Sequence, residues 1–316
     1  MKKTKYHVRN WKHYNQSLEE RGDIEIWFNE KALGQWHPEK KEQGRGRPKK
    51  YSDAAIECSL IVKYVYKLAF RQMQGFMKSL TKLLGLEIEV PDYSTVCKRQ
   101  AKVDVELISK CKGRKKIYVI FDSSGFKIFG EGEWKVRQHG YSKRRKWVKI
   151  HVGLGIMSTG ETRIESVKIS DKDKLDGQMM SEMLDGIEGK IGKILGDGAY
   201  GAAINYEKAV KRKAKLIVPP KKGAKINLEK ARESEGWRAK NEAIRSAHRL
   251  GKDRWKEKMN YHKRSLVENM FFRLKTMLGP GLDARSFGRQ EIEALIKCKI
   301  LNRVTEIGMP DSYKVA

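Results

Sequence analysis

The chain has 316 residues, of which 39% are hydrophobic, so it can bury a core and is not expected to be disordered. Its 68 Lys and Arg residues outnumber its 39 Asp and Glu residues by 29, and such an excess repels itself unless a polyanion neutralises it. No apolar run approaches the roughly 20 residues of a membrane-spanning helix and no signal-peptide core follows Met1, so nucleic acid is favoured over a membrane.

The first 50 residues are polar, basic and rich in aromatic side chains, and we predict that residues 1–50 form an N-terminal arm. They end in a basic run in which Arg45 and Arg47 flank Gly46. This Arg-Gly-Arg-Pro core is similar to an AT-hook, a segment that inserts arginines into a narrow A·T minor groove. A solvated linker is the alternative interpretation.

Residues 51–112 have apolar residues at helical spacing and predict three helices. Asp53 is expected to cap the first helix and Ser94 the third. Because the third helix carries Lys98 and Arg99, we predict a helix-turn-helix-like domain in which these two side chains contact DNA. A plain helical bundle with a solvated basic face remains open.

From residue 116 the apolar residues follow the period of strands. A β-rich run ends at Asp122, two alternating stretches form a hairpin, and a later strand runs into Asp197. The predicted order β-β-β-α-β-α-β-α is that of an α/β fold of the RNase H-like type, a mixed five-stranded sheet flanked by helices. We assign this catalytic domain to residues 113–316, with a polar insertion around 221–260. Three long helices are expected over 236–257, 265–278 and 288–306.

Three acidic residues are candidates for a catalytic site. In the predicted sheet, the strands that precede Asp122 and Asp197 lie side by side, so the two carboxylates converge at one sheet edge. Glu268 lies near the start of a later helix that can pack across this edge. Three such carboxylates form a hard oxygen site that suits Mg²⁺ or Mn²⁺, and two of these ions can serve phosphoryl transfer.

Each carboxylate also has an ordinary structural interpretation. An Asp at a strand end, or between two glycines as Asp197 is, is often a turn residue. Glu268 follows Ser265 at the spacing of a capping box, in which the Glu side chain bonds to the cap amide.

The cysteines do not indicate a metal site, because none is paired or spaced as a zinc ligand. We expect them to be reduced and mostly buried, as in a cytoplasmic protein. Three histidines could relay protons, but two-metal chemistry does not need them and none is assigned a role: His139, His151 and His262.

The acidic blocks resemble those of the DDE transposases of bacterial insertion sequences, and specifically of the family named after insertion sequence five. The first block begins at Asp122 and the second is Gly196-Asp197-Gly198-Ala199-Tyr200. The third contains Tyr, two residues, Arg, three residues, Glu, six residues and Lys. In this chain the four residues are Tyr261, Arg264, Glu268 and Lys275.

This resemblance implies a role for each matching residue. Asp122, Asp197 and Glu268 would hold the metal, as two ions, and Tyr261, Arg264 and Lys275 would bind phosphates at the element end. The spacing of the third block independently places its four residues near one stripe of a continuous helix, a pattern suited to DNA phosphates. Salt bridges on a solvated face are the alternative.

A further basic segment surrounds Trp134 and includes Arg144 and Arg145, so we predict that all three contact DNA. Trp134 would stack on an unpaired base near the cut, as aromatic residues among cations do in single-strand grooves. A packed core tryptophan is the alternative.

The sequence therefore predicts a metal-dependent DNA transposase that binds the terminal inverted repeats of its insertion sequence and catalyses end cleavage and strand transfer. Its partners would be double-stranded element and target DNA, in the bacterial cytoplasm near the nucleoid. A homodimer or higher oligomer on paired DNA ends follows from the resemblance alone. A DNA-binding repressor derived from a transposase and an RNase H-like nuclease are the alternatives.

Overall fold

The computed structural model of the protein describes residues 5–28, 33–38, 48–107, 116–128, 147–171, 174 and 176–315. The chain forms two compact units. One consists of residues 1–105 together with 296–316, and the other of residues 106–295. The last helix crosses this boundary, so the C-terminal residues belong to the first unit. The predicted domain boundaries had assigned these residues to the catalytic domain.

The first unit is mostly helical, with a short antiparallel pair formed by its two terminal strands. Its elements are β1 (Lys5–Val8), α1 (Trp11–Glu20), α2 (Ile24–Trp27), α3 (Asp53–Val65), α4 (Phe70–Leu83), α5 (Tyr93–Arg99) and β8 (Ser312–Val315). Within its described residues, the segment predicted as an arm thus contains β1, α1 and α2. Its AT-hook-like residues, Arg45 and Arg47, lie outside the described residues.

The predicted helix caps of this unit were each wrong by one or two residues. Ser52 caps α3, because its hydroxyl accepts a hydrogen bond from the amide of Ala55, and Asp53 is the first helical residue. Asp92 caps α5 by accepting from the amide of Ser94. In both cases an earlier side chain reaches the free amides first.

The second unit holds the mixed sheet. Its elements are β2 (Ile117–Ile128), β3 (Trp147–Ile156), β4 (Thr162–Asp171), α6 (Asp176–Asp185), β5 (Ile191–Leu195), α7 (Ala203–Lys211), β6 (Lys215–Ile217), α8 (Leu228–Glu233), α9 (Glu235–Leu250), α10 (Lys252–Lys258), α11 (Ser265–Leu278), β7 (Gly281–Leu282) and the start of α12 (Phe287–Ile307).

The strand order in this sheet is β4-β3-β2-β5-β6, and β7 also pairs with β2. The first three strands are antiparallel, whereas β5 and β6 run parallel to β2. The predicted hairpin and the predicted adjacency of β2 and β5 are therefore confirmed. The sixth strand, β7, was missed because two residues carry no periodic signal.

The two faces of β2 serve different purposes because side chains alternate along a strand. Val119 and Phe121 point into an apolar core that includes Met180 and Leu184 of α6. Asp122 and the residues that alternate with it point to the opposite face, over which α11 packs its own buried apolar side chains. This face carries the site described below.

The helices after β6 differ from the predicted pattern. The helix predicted over 236–257 is divided at Gly251, whose φ of 74° lies in the left-handed region that favours glycine. The predicted polar loop contains α8, which begins at the side-chain cap Asn227. In contrast, α11 has the predicted bounds.

In the described part of the chain, no helix is both long and apolar enough to cross a membrane. Cys58 and Cys298 are buried free thiols, as predicted, and burial raises the pKa of each to about 12.

Candidate active site

Asp122 lies within β2 and not, as was predicted, at its end, because the pairing of β2 with β3 continues as far as Lys127. It lies two residues beyond Ile120, the last residue of β2 that pairs with β5. One of its oxygens accepts a 2.9 Å hydrogen bond from the amide of Ser123. Burial raises the pKa of Asp122, and the nearby charges of Asp197 and Glu268 raise it further, while the Ser123 amide and Arg264 oppose these effects. All three candidate carboxylates are therefore close enough to interact electrostatically.

Asp197 follows β5, and its position depends on a tight turn. Its side chain accepts from the amide of Ala199 at 2.8 Å and caps a single 3-10 turn, Gly198–Tyr200. A Cβ on Gly196 would lie 2.9 Å from the Tyr200 ring, so the chain can pass this buried ring only with glycine there. Asp197 is thus a turn residue, as the structural alternative held, and its turn places it at the carboxyl end of β5.

Glu268 does not form the capping box that was its structural alternative. Ser265 is the first residue of α11, and its hydroxyl donates to the carbonyl oxygen of His262 at 3.0 Å instead. The carboxylate of Glu268 is half-exposed and pairs with Arg264, one turn earlier. Glu268 is consequently free of a backbone-capping role.

Arg264 connects two of the three carboxylates. One guanidinium nitrogen donates to Oδ2 of Asp122 at 3.0 Å, and the other pairs with Glu268. Its side chain is mostly buried, at 24% exposure, so solvent screens these contacts only in part.

Tyr261 lies beside the acidic residues. Its hydroxyl donates to the carbonyl oxygen of Gly196 at 3.2 Å, directly before Asp197. Burial raises the pKa of Tyr261, Arg264 lowers it, and the charges of Asp197, Asp122 and Glu268 each raise it. One side chain therefore lies within electrostatic range of all three carboxylates.

Lys275 lies on the same surface, nearly two turns beyond Glu268. Its Nζ donates to the hydroxyl of Ser124 at 2.7 Å and lies 5.0 Å from the centroid of the Phe126 ring. Burial lowers the pKa of Lys275. Ser124 was not predicted as a site residue, although a residue two positions after Asp122 on a strand must share its face.

The four residues of the Tyr-Arg-Glu-Lys pattern do not lie on one continuous α-helix. Tyr261–Arg264 is a 3-10 turn that leads into α11. The pattern nevertheless lies along one surface, because Tyr261 contacts the end of β5 and Lys275 contacts β2.

Across the described ranges, no three Asp, Glu, His or Cys side chains lie close enough together to hold one metal ion. The guanidinium of Arg264 stands between Asp122 and Glu268 and neutralises them. The chemistry of the donor atoms nevertheless suits a divalent cation, because Asp122, Asp197 and Glu268 offer carboxylate oxygens whose negative charges repel one another.

The other predicted DNA contacts are not brought to this edge by any described contact. Lys98 and Arg99 belong to the first unit. Lys98 is exposed, whereas Arg99 binds Asp53 and the carbonyl oxygen of Tyr51. The remaining predicted contacts lie outside the described residues: Arg45, Arg47, Trp134, Arg144 and Arg145.

Two family models of known proteins match the chain. A family model described as a transposase DDE domain matches residues 113–303, and another with the same description matches residues 19–131. The chain belongs to the DDE transposases. Enzymes of this family carry out nucleotidyl transfer in DNA transposition and generally use divalent metal ions.

Two further similarities are weaker. An uncharacterized protein of Aquifex aeolicus (strain VF5) is 25% identical to this transposase over 192 residues. The match covers 55% of this chain and 57% of the relative, so it spans little more than half of that protein. A match to a chain of the Drosophila P element transposase strand transfer complex covers 90% of this chain and 85% of that chain, with 10% sequence identity. Its TM-score of 0.30 is too low to support a structural argument.

Proposed function

We propose that this transposase binds the terminal inverted repeats of its insertion sequence, cleaves the element ends and transfers them to target DNA. The observation that carries the proposal is the convergence of Asp122, Asp197 and Glu268 around Arg264 and Tyr261. We also assign the mixed sheet to the RNase H-like type and the chain to the insertion sequence five family, on the strand order and the Tyr-Arg-Glu-Lys spacing.

Asp122, Asp197 and Glu268 would hold the metal, which we propose to be two Mg²⁺ or Mn²⁺ ions. When bound, such ions activate an oxygen nucleophile and stabilise the leaving oxygen. Arg264 would have to leave Asp122 and Glu268 when these carboxylates take up cations, because both partners use the same oxygens. Its planar, bidentate guanidinium would then suit a DNA phosphate.

Cleavage and strand transfer would share this site. In cleavage, a water oxygen bonds to phosphorus while the bond from phosphorus to the 3′ oxygen of the element breaks. In strand transfer, that 3′-hydroxyl attacks a target phosphate and displaces a 3′ oxygen of the target strand. Tyr261 and Lys275 flank the carboxylates and would orient the phosphates on either side for in-line attack.

Further DNA contacts are proposed outside the carboxylate site. The region 51–112 would recognise DNA through Lys98, and the 1–50 segment through Arg45 and Arg47. Arg99 is a weaker candidate than the sequence suggested, because its guanidinium is engaged within the first unit. Two or more copies would pair two element ends, each bound near the nucleoid.

The proposal is tested by Mg²⁺-dependent nicking of duplexes that carry the inverted repeats flanking the gene, with scrambled duplexes of equal length as the control. We expect cutting at the element end only, and its loss in Asp122→Asn and Asp197→Asn. Equal cutting of both duplexes would favour an RNase H-like nuclease. Specific binding without any cutting would favour a repressor.

A further inference from the structure

The lysine-rich segment after β6 begins at the same sheet edge as the carboxylates. Since β2, β5 and β6 are parallel, their carboxyl ends lie at one edge, and Lys221 follows the end of β6 by four residues. A Cβ on Gly198 would lie 3.8 Å from the carbonyl oxygen of Pro219, so the segment leaves β6 beside the turn that holds Asp197.

Side-chain hydrogen bonds attach this segment to α9. The amide of Asn227 donates to the side chain of Asn241 at 3.2 Å, and the Asn241 side chain donates back to the Asn227 carbonyl at 2.7 Å. Asn227 also caps α8 through the amide of Lys230, and Ser234 caps α9 through the amide of Trp237. The segment is therefore held in a defined position rather than being a loose insertion.

This arrangement places two lysines against one aromatic ring and a third lysine, Lys221, within electrostatic range of Lys240. The Nζ atoms of Lys230 and Lys240 lie 5.3 and 4.7 Å from the ring centroid of Trp237. Burial lowers the pKa of Lys240, and the positive charges of Lys221 and Lys230 lower it further. Among the described residues, no carboxylate forms an ion pair with any of the three lysines.

Three cations held together without counter-ions repel one another, so an anion that binds among them relieves this repulsion. We propose that Lys221, Lys230 and Lys240, supported by Trp237, form a second binding site for the DNA backbone, which receives the duplex beside the cleavage site. This inference rests on the proposed function, because it takes DNA as the polyanion at this edge. Phosphate contacts of this kind hold the duplex in register without reading its sequence.

The test compares two double variants with equal changes in net charge. Lys230→Gln/Lys240→Gln removes two of the cluster's charges. Lys190→Gln/Lys211→Gln is the matched control, because both lysines are exposed and lie at the opposite edge of the sheet. Lys190 directly precedes β5, and Lys211 lies four residues before β6. Affinity for a labelled duplex is measured by fluorescence anisotropy, without metal, over a range of salt concentrations.

Each phosphate contact contributes about 0.9 to the slope of log affinity against log salt. We therefore expect the slope of Lys230→Gln/Lys240→Gln to be shallower than wild type by about 1.8, equally on end-bearing and scrambled duplexes. The control pair should retain the wild-type slope. Lys221→Gln, an exposed substitution that tests the cluster if the double variant fails to fold, should reduce the slope by about 0.9.

A wild-type slope in the cluster variants would overturn this second site and leave the proposed transposition activity standing. An equal loss of slope in the control pair would also overturn it, because the effect would then come from net charge alone. A flat salt response of the wild-type protein would instead overturn the proposed DNA binding as a whole.

Discussion

Nη1 of Arg264 lies 3.0 Å from Oδ2 of Asp122, although 142 positions separate the two residues in the chain. The same guanidinium pairs with Glu268, so one arginine neutralises two carboxylates that would otherwise repel each other. These ion pairs therefore stabilise the acidic edge. It also makes Arg264 a competitor for any divalent ion that these carboxylates bind.

Arg264→Gln should therefore have opposite effects with and without metal. Without metal, we expect the free energy of unfolding to fall by about 1 to 2 kcal/mol, since two partly buried carboxylates lose their partner. With Mn²⁺, we expect a larger rise in Tm than in wild type, because the carboxylates are already free. Lys252→Gln, an exposed change of equal charge in the same unit, is the control. A smaller Mn²⁺ effect in Arg264→Gln would contradict the competition.

Glu268→Gln separates a structural from a catalytic role for this side chain. The amide oxygen of glutamine can still accept from Arg264, so we expect the variant to fold and to bind DNA. Because a neutral amide is a poor ligand for Mg²⁺, cleavage should fall by more than about 100-fold, the loss that outer-shell partners alone can cause. Glu229→Gln on the exposed face of α8 is the matched control. Cleavage at the wild-type rate would remove Glu268 from the catalytic site.

Two helical glycines should respond to alanine in opposite directions. A Cβ on Gly236 of α9 would lie 2.8 Å from the backbone nitrogen and the Cβ of Glu207 on α7, whereas nothing lies within 4 Å of one on Gly75 of α4. We expect Gly236→Ala to lower stability by about 1 to 3 kcal/mol through overpacking. Gly75→Ala should raise it by roughly 0.5 to 1 kcal/mol through helix propensity. Thermal unfolding followed by circular dichroism measures both, and a stable Gly236→Ala would rule out the close approach.

His151 predicts how stability depends on pH. Its Nε2 contacts the Ser170 hydroxyl at 2.8 Å, and because that hydroxyl donates to the Asp171 carbonyl, Nε2 is the protonated nitrogen. Burial lowers the pKa of His151 to about 4, although Asp176 opposes this effect. The unfolded histidine, with an ordinary pKa of about 6.5, binds its proton first as the pH falls. Stability is therefore lost between about pH 6.5 and pH 4, and about 2 kcal/mol of it is gone at pH 5.

The comparison with His151→Gln isolates this contribution. Glutamine can still donate to Ser170 but does not titrate. The free energy of unfolding of His151→Gln should therefore fall less than that of the wild-type protein between pH 7.5 and pH 5. Denaturant unfolding at a series of pH values gives the difference. Parallel curves for the two proteins would mean that His151 is protonated in the folded state at acid pH without a cost.

Local patterns predicted much of the fold and less of its detail. The alternation from Trp147 to Ile156 predicted a strand, and the helical spacing after Ser265 predicted α11, because each signal lies within one element. The local signal did not, however, predict the hydrogen bonds at the amino-terminal cap of α11. Ser265 and Glu268 have the spacing of a capping box, yet the preceding 3-10 turn directs the serine hydroxyl to His262.

The sequence likewise predicted some residues of the candidate sites and not others. The acidic residues were predicted from the apolar strand patterns that precede Asp122 and Asp197 and from the Tyr-Arg-Glu-Lys spacing. The cluster of Lys221, Lys230 and Lys240 was not predicted, because the lysine-rich segment is attached to α9 by hydrogen bonds between Asn227 and Asn241, which are 14 positions apart.

The amino-acid sequence by itself determined the order of strands and helices, the positive charge, and the acidic residues within β2 and after β5, since all of these depend on near neighbours. Only the tertiary structure decided that Arg264 joins Asp122 to Glu268. The pairing with Glu268 needs a single helical turn, but the pairing with Asp122 requires α11 to pack its apolar side over β2. Such contacts depend on how buried surfaces fit together, which no local pattern specifies.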